Sequence, residues 1–179
     1  MDRFRPSTAP GSPTIPFMHL RLATAADAEA IRAIYNVEVL GSTATFDLVP
    51  RSLEEQEEWI ASHDGVHPAV VAIAAGGAVA GFGSLSPYRH RPAYATTVED
   101  SVYVDGDHRG EGAGRAILEE LIRLATEYGF HTMVARVAGE NAASIGLHHA
   151  CGFEPAGIER EIGRKFGRWL DVHVLQRML

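Results

Sequence analysis

The sequence predicts a mixed α/β fold in which a sheet of about seven strands is flanked by about four helices. Two observations support this fold class. Short apolar runs of strand length occur among runs with apolar residues at helical spacing, and the predicted elements follow the order βααβββαβαββ. Strands outnumber the helical crossovers in this order, which a mixed sheet covered by helices satisfies.

The first three elements are a strand at residues 19–22 and two helices that begin at capping boxes. Residues 24–27 resemble a capping box, and apolar residues follow at helical spacing from Ile31 onward. A second capping box, at residues 52–55, begins the next helix. Between the two helices, residues 43–47 are predicted to form an extended loop.

The uncharged stretch at residues 69–85 is predicted to form two strands rather than a membrane helix. Gly76-Gly77 breaks the stretch at its centre, and valines and alanines flank the break on both sides. A tight turn between strands 69–74 and 78–85 explains this pattern.

The second half of the chain continues with alternating strands and helices. A long strand follows a loop rich in arginine and histidine, the next helix stops at Gly129, and an asparagine is positioned to cap the last helix. The predicted elements are a strand at 96–104, a helix at 113–128, a strand at 132–137, a helix from Asn141 to about Gly152, and strands at 158–162 and 169–176.

Length and composition are those of one soluble globular domain, predicted at residues 18–179. Residues 1–17 hold four prolines, two serines and two threonines without an apolar core, so we expect a disordered tail and no signal peptide. The net charge of -7 argues against a nucleic-acid partner, and no segment suggests a membrane partner. The single cysteine fits a reducing, cytoplasmic location.

The most informative segment is Arg109-Gly110-Glu111-Gly112-Ala113-Gly114, between a predicted strand end and a predicted helix start. Glycines let a ligand approach the backbone closely, and the first N–H groups of a helix favour an anion. A phosphate or pyrophosphate is therefore the expected ligand, with Arg109 adding a positive charge. The alternative is a glycine-rich turn that only joins strand to helix.

The spacing R-x-x-G-x-G in this segment matches neither a dinucleotide fingerprint nor a P-loop. It resembles the acetyl-CoA pyrophosphate loop of the GNAT family of N-acetyltransferases. Asn141, His148 and Gly152-Phe153 fall in register with a second motif of that family, in which His148 occupies a position often held by tyrosine. Taken alone, Asn141 would be a helix N-cap and His148 a histidine of an amphipathic helix.

Within this family the sequence resembles the phosphinothricin and methionine sulfoximine acetyltransferases over about residues 18–179. The matching segments are Thr97-Val98-Glu99, Ser101–Val104, Asn141–Ile145 with Leu147-His148, and Lys165–Asp171. The resemblance implies a GNAT-like, mostly antiparallel sheet, acetyl-CoA as co-substrate, a small amine substrate and a homodimer.

The resemblance also implies the residues of the site. Glu99 is expected to be the catalytic base, and His148 is a second candidate, either as a proton donor or as a ligand contact. Strand alternation places Asp100 on the opposite face from Glu99, which makes Asp100 the natural control. The expected cofactor-binding residues are Val102, Tyr103, Val104, Arg109, Gly110, Glu111, Gly112, Ala113, Gly114, Asn141 and Ser144.

The substrate is expected near Thr45, Phe46, Thr97 and Val98, and near the loop that carries Arg89 and Arg91. A guanidinium in this loop would hold a carboxylate or phosphinate, whereas a solvated loop is the alternative. Cys151 lies at a helix C-terminus, which disfavours a thiolate, so we expect it to serve in packing. No histidine or cysteine spacing indicates a metal site.

Three functions remain open on the sequence alone. The first is direct acetyl transfer from acetyl-CoA to the α-amino group of a small amino acid in a ternary complex. The second is an acyl-CoA-binding sensor module without turnover, and the third is acetylation of protein N-termini or polyamines. Glu99 and the glycine loop favour an enzyme over a sensor, and the Lys165–Asp171 resemblance favours amino acids over the third class.

Overall fold

The computed structural model describes residues 18–139 and 141–179. The predicted tail at residues 1–17 lies outside the described residues, as does Glu140. The strands are β1 His19–Leu22, β2 Ala69–Ile73, β3 Val79–Pro87, β4 Thr97–Val104, β5 Thr132–Ala138, β6 Glu154–Lys165 and β7 Arg168–Met178. The helices are α1 Ala28–Gly41, α2 Leu53–Ser62, α3 Ala113–Glu127 and α4 Ala142–Ala150.

The predicted fold class is confirmed, and most elements begin and end within two residues of their predicted bounds. The capping box at Ser52 and Glu55 is present, with the Ser52 hydroxyl accepting from the Glu55 amide at 3.1 Å. The largest difference is β6, predicted at residues 158–162 and observed over twelve residues. This strand lies at the edge of the sheet and is mostly exposed, so its sequence carries little of the apolar signal of a buried strand.

The seven strands form one sheet in the order β1-β2-β3-β4-β5-β7-β6. All neighbouring strands are antiparallel except β4 and β5, which are parallel and are joined through α3. The pairing of β4 with β5 runs from Thr97 and Thr132 to Asp100 and Ala135, although both strands continue beyond that point. The two strands therefore diverge, and the β5-facing side of residues 101–104 leaves the ladder.

The helices cover the two faces of the sheet and divide the core into two clusters. On one face α3 packs Ile117, Leu118 and Leu121 onto the sheet, and the segment that follows α4 joins this cluster through Phe153. On the other face α1 and α2 pack around Phe82. Side chains alternate along each strand, so neighbouring residues of β4 point into different clusters.

The close approach of α3 to the sheet depends on a glycine in β3. A β-carbon at Gly83 would lie 2.5 Å from Cγ2 of Ile117 and 2.8 Å from the carbonyl oxygen of Ser101. Both distances are shorter than van der Waals contact, so no larger residue fits without moving the helix or the strand.

We expect Gly83→Ala to destabilise the fold by about 1–3 kcal/mol, because it overfills the contact between β3 and α3. For a domain of this size the loss corresponds to a drop in Tm of roughly 3–10 °C, measurable by thermal unfolding. Gly76→Ala is the matched control, because a β-carbon there would meet no atom within 4 Å. Equal Tm values for the two variants would contradict the packing argument.

Candidate active site

The divergence of β4 from β5 opens a cleft of about 770 Å³ at the end of α1, the start of α3 and the start of α4. All the residues predicted to bind the cofactor line this cleft except Glu111, whose carboxylate accepts a hydrogen bond from His108 Nδ1 at 2.9 Å. The lining set is Val102, Tyr103, Val104, Arg109, Gly110, Gly112, Ala113, Gly114, Asn141 and Ser144.

The glycine loop presents the N-terminus of α3 to the cleft. Gly110 and Gly112 have φ values of 81° and 89°, in the left-handed region that favours glycine. The α3 hydrogen-bond ladder begins with the Ala116 amide, which donates to the Gly112 carbonyl at 3.0 Å. The three preceding amides have no acceptor within the helix, so the loop and the helix start can bind an anion.

Arg109 is paired with a carboxylate that sequence reasoning missed. Its Nη2 donates to Oε1 of Glu38 at 2.5 Å, and Ser42 Oγ donates to the same carboxylate. Glu38 belongs to α1, is 9% exposed and lines the cleft. An acidic residue four positions after Ile34, on the buried face of an amphipathic helix, is the signal that could have revealed it.

Glu99 lies on the face of the sheet that α1 and α2 cover and is partly buried. It pairs in register with Ser86 of β3 and with Val134 of β5, so it sits where the two parallel strands still meet. None of the described side chains forms a hydrogen bond with its carboxylate. The carboxylate can therefore accept a proton from a ligand or from a water molecule.

The environment of Glu99 makes it more basic. Burial raises the pKa of the Glu99 carboxyl above its ordinary value, because the charged form loses solvation. The guanidinium groups of Arg136 and, less strongly, Arg89 oppose this rise, whereas the carboxylates of Asp100 and Glu159 add to it. A carboxylate with a raised pKa is a better general base at neutral pH than an exposed one.

His148 lies on the opposite face from Glu99 and forms a buried pair with Asp100. Its Nε2 lies 3.0 Å from Oδ2 of Asp100, and its Nδ1 lies 2.7 Å from the carbonyl oxygen of Ser144. The two side chains of the pair are 5% and 1% exposed. Burial is the largest single influence and opposes the charged imidazolium, but the hydrogen bond and charge of Asp100, together with the bond to the Ser144 carbonyl, exceed it and raise the pKa of His148. Both ring nitrogens face acceptors, as a doubly protonated ring requires.

This pair corrects the view of Asp100 as a neutral control for Glu99. The predicted orientation is confirmed, since Asp100 does face away from Glu99. The carboxylate is nevertheless buried and bonded to the second catalytic candidate, and its Oδ1 has no hydrogen-bond partner among the described residues. A substitution of Asp100 would therefore change both stability and the state of His148.

The predicted substrate residues are distributed over several environments. The Thr45 hydroxyl lies 2.8 Å from the Tyr35 hydroxyl, and Phe46 packs against Gly163 of β6. Thr97 shares the face of Glu99. Val98 does not, because its side chain is fully buried in the α3 cluster, which leaves only its backbone for a ligand.

The loop arginines are exposed, and Arg89 lies over the Tyr88 ring with its Cζ 5.0 Å from the ring centroid. Arg91 is also exposed. The structure thus brings the cofactor set together in one cleft, whereas both loop arginines lie at the surface.

Lys165 links the β6–β7 hairpin by hydrogen bonds to the end of α1 and to the connection between α1 and α2. Its ammonium donates to the Thr45 carbonyl oxygen at 2.9 Å and to the Glu38 carbonyl oxygen at 3.4 Å. The residue is 3% exposed, and burial lowers the pKa of its ammonium group. Arg168, three residues later, lines the cleft. The Lys165–Asp171 segment therefore reaches the cleft through Arg168.

Cys151 is buried, and burial raises the pKa of its thiol, which suits packing rather than nucleophilic attack. Among residues 18–139 and 141–179, no group of three or more histidine, cysteine or acidic side chains is placed to hold a metal ion. No helix within these ranges is long and apolar enough to cross a membrane.

We expect Asp100→Asn to lower the free energy of unfolding by about 3 kcal/mol near pH 6, because it leaves a buried histidine without its charged partner. The pKa of His148 is raised in the folded protein. Its stabilising contribution is therefore complete below about pH 6.5, the unfolded value, and is lost as the pH rises through the folded value. Urea unfolding at pH 6 and pH 9 measures this difference.

The difference between the wild type and Asp100→Asn should therefore shrink at pH 9. Asp64→Asn is the control, since Asp64 is exposed and its side chain forms no hydrogen bond with a described residue. A destabilisation by Asp100→Asn that is equal at both pH values would show that the pair is not ionic.

Known proteins are similar to this chain in both fold and sequence. A profile of the acetyltransferase (GNAT) domain matches residues 20–174. An L-methionine sulfoximine/L-methionine sulfone acetyltransferase from Pseudomonas paraeruginosa strain PA7 is 42% identical over 158 residues. The match covers 88% of this chain and 92% of that protein.

Two crystal structures extend the comparison to three dimensions. A GNAT superfamily phosphinothricin acetyltransferase from Sinorhizobium meliloti in complex with AcCoA has a TM-score of 0.87 at 42% identity, covering 90% of this chain and 88% of that chain. A ribosomal-protein-alanine N-acetyltransferase from Brucella melitensis has a TM-score of 0.87 at 39% identity, covering 90% and 99%. The sequence match and the shared fold show that the chain belongs to the GNAT family of acetyltransferases.

Proposed function

We propose that the chain transfers the acetyl group of acetyl-CoA to the α-amino group of a small amino acid or analogue. Methionine sulfoximine, methionine sulfone and phosphinothricin are the first substrates to test, because relatives named for them are about 42% identical over most of the chain. The observation that carries the proposal is the position of Glu99. This partly buried carboxylate of raised pKa lies at the point where β4 and β5 begin to diverge.

Acetyl-CoA fits the large cleft by its chemistry. The amides of the glycine loop and the start of α3 suit a pyrophosphate, and Arg109 lies beside them. The backbone of residues 102–104, which has left the β4–β5 ladder, offers N–H and C=O groups to the amides of the pantetheine arm. These features support acetyl-CoA as the co-substrate and account for most of the predicted cofactor set.

Glu99 acts as the general base in this proposal. An amino acid arrives with a protonated ammonium group, and only the neutral amine attacks the thioester carbonyl carbon. Glu99 removes that proton, directly or through one water molecule, while the C–N bond forms and the C–S bond breaks. The reaction is a direct transfer in a ternary complex, with no acetylated protein side chain.

His148 stabilises the leaving group, the thiolate of CoA. It lines a narrow inner pocket of about 80 Å³ together with Asn141 and Ser144, and this pocket shares five lining residues with the large cleft. The imidazolium held by Asp100 places a positive charge at this inner end. The positive charge of the imidazolium stabilises the departing thiolate. The thiolate takes up the second proton of the acceptor nitrogen, which that nitrogen loses once the C–N bond has formed, so His148 keeps its bonds to Asp100 and to the Ser144 carbonyl.

Two alternatives lead to different measurements. A cofactor sensor would bind acetyl-CoA without releasing the CoA thiol in the presence of any amine. An N-terminal acetyltransferase, as the name of the Brucella melitensis relative suggests, would favour peptides over free amino acids. A thiol-release assay with amino acids, polyamines and alanine-initiated peptides separates the three functions.

We expect Arg109→Ala to weaken acetyl-CoA binding roughly 10- to 100-fold, because a charge-assisted contact with the pyrophosphate is lost. Glu38→Gln should change the acetyl-CoA affinity in the opposite direction and tighten binding several-fold, since the Glu38 carboxylate competes with the pyrophosphate for Arg109. Calorimetric titration with acetyl-CoA measures both effects. Arg123→Ala, near the far end of α3, is the control, and unchanged affinity in Arg109→Ala would contradict the assigned site.

We expect Glu99→Gln to lower kcat by about 10²–10⁴-fold with little change in acetyl-CoA affinity, because the amide cannot accept a proton. In the wild type kcat/KM should rise with pH through the raised pKa of Glu99, as the carboxylate form appears. Raising the pH further should partly restore Glu99→Gln, because more of the amine is then neutral without a base. Initial rates from pH 5 to pH 10 measure these effects.

Glu154→Gln is a better control than Asp100→Asn. Glu154 lies in the same cross-strand row as Glu99, through Val134 and Gln176, but is exposed on the edge strand. Its replacement should leave kcat unchanged. Near-normal turnover of Glu99→Gln at neutral pH would show that the base is assigned wrongly.

A further inference from the structure

Arg136 is an arginine of the site that neither the motifs nor the resemblance identified. It lies on β5, two residues beyond Val134, the register partner of Glu99. Side chains alternate along a strand, so Arg136 and Glu99 project from the same face of the sheet. Arg136 also lines the inner pocket of about 80 Å³, at the level where β4 has separated from β5.

The guanidinium of Arg136 is held at one end and free at the other. Its Nη2 donates to Oε2 of Glu159, a residue of β6 that Arg136 reaches across β7. This is the only hydrogen bond of the Arg136 side chain within residues 18–139 and 141–179. A guanidinium has five N–H donors in a planar fork, so most of them remain available to a ligand. The side chain is 34% exposed, so a ligand can reach it.

The charges of Glu99, Arg136 and Glu159 belong to one neighbourhood. Beyond the effect of burial, the Arg136 guanidinium lowers the pKa of the Glu99 carboxyl and the Glu159 carboxylate raises it. The side chains of Glu99 and Arg136 are both long and leave the same face of neighbouring strands, with Arg136 two residues beyond the register partner of Glu99. A small zwitterion can therefore touch the carboxylate of Glu99 and the guanidinium of Arg136 together.

An α-amino acid has this charge arrangement, because its ammonium and carboxylate groups are attached to the same carbon. A cationic side chain that binds the α-carboxylate of the acceptor must therefore lie within a few ångströms of the base, Glu99. Arg136 satisfies this condition from a strand that pairs with the strand of Glu99. Arg89 also lowers the pKa of Glu99, to a lesser extent, but it lies on an exposed loop, as does Arg91. Glu159 fixes the orientation of the guanidinium without occupying the whole fork.

We propose that Arg136 binds the α-carboxylate of the acceptor amino acid and thereby sets the preference of the site for amino acids over simple amines. This inference rests on the proposed acetylation of an α-amino group. It assigns to Arg136 a role in substrate recognition, with Glu159 as its positioning residue.

The test compares two acceptors that differ only in the carboxylate, L-methionine sulfone and 3-(methylsulfonyl)propan-1-amine, at saturating acetyl-CoA. The wild type should have the higher kcat/KM for the amino acid. Arg136→Gln should lower kcat/KM for methionine sulfone roughly 10- to 100-fold, mostly through KM, because a charge-assisted fork is lost. It should change kcat/KM for the amine less than threefold. Arg136→Lys, which keeps the charge without the fork, should lie between the wild type and Arg136→Gln.

Two controls isolate the carboxylate contact. Removing Arg136 leaves Glu159 unpaired and changes the pKa of Glu99, but this change affects both acceptors alike. The double variant Arg136→Gln/Glu159→Gln removes the unpaired charge and should show the same loss of preference. Arg123→Gln, at an exposed arginine of α3, is the control and should keep the wild-type preference.

The outcomes separate this inference from the proposed function. If the wild type prefers methionine sulfone and Arg136→Gln keeps that preference, the role of Arg136 is wrong and the proposed function stands. Arg89→Gln and Arg91→Gln test the loop arginines in the same assay, and loss of the preference in either of these alone would move the carboxylate site to the loop. If the wild type acetylates methionine sulfone without preferring it to the amine, the role of Arg136 is wrong and the proposed function stands. If it acetylates neither acceptor, both proposals fail.

Discussion

The early end of the pairing between β4 and β5 is the constraint on which the site depends. Four residue pairs hold the strands together, and beyond Asp100 and Ala135 each strand loses its partner on this side, while β3 still pairs with β4 and β7 with β5. Unpaired backbone N–H and C=O groups need other partners, and a cleft with such groups on its wall suits an extended ligand that carries amides. The same divergence opens the inner pocket that His148 and Arg136 line.

The two arginines proposed to bind anionic groups of the ligands, Arg109 and Arg136, are each paired with a carboxylate. Arg109 is bound to Glu38, and Arg136 is bound to Glu159. Such pairs hold a flexible side chain in one orientation and so reduce the entropy that a ligand must remove. They also lower the net attraction for an anion, since the ligand must share the guanidinium with the carboxylate or displace it. Each pair therefore fixes the orientation of its arginine but lowers the affinity of that arginine for an anionic ligand group.

The sequence predicted the elements of the fold because each has a local signal. Capping boxes mark two helix starts, glycines mark the turns, and buried strands carry apolar runs. The glycine loop was also found locally, from the backbone needs of a phosphate site, whereas Glu99 was assigned by the family resemblance. The exposed strand β6 was predicted too short because an edge strand needs few apolar residues.

The parts of the site that the sequence did not predict are contacts between segments that lie far apart in the chain. Glu38 and Arg109 are 71 residues apart, and Asp100 and His148 are 48 residues apart. Their meeting depends on how the helices sit on the sheet and on the strand register, which no local pattern contains. Arg136 was missed for the same reason, since its neighbour Glu159 lies two strands away in the sheet.

The adjacent carboxylates Glu99 and Asp100 show what strand register means for this chemistry. A slip of β4 by one residue would exchange their faces, placing the aspartate beneath α1 and α2 and the glutamate against His148. Seven consecutive pairs with β3 oppose such a slip. In the proposed mechanism, the choice of which acid acts as the base is therefore a property of the sheet ladder as much as of the side chains.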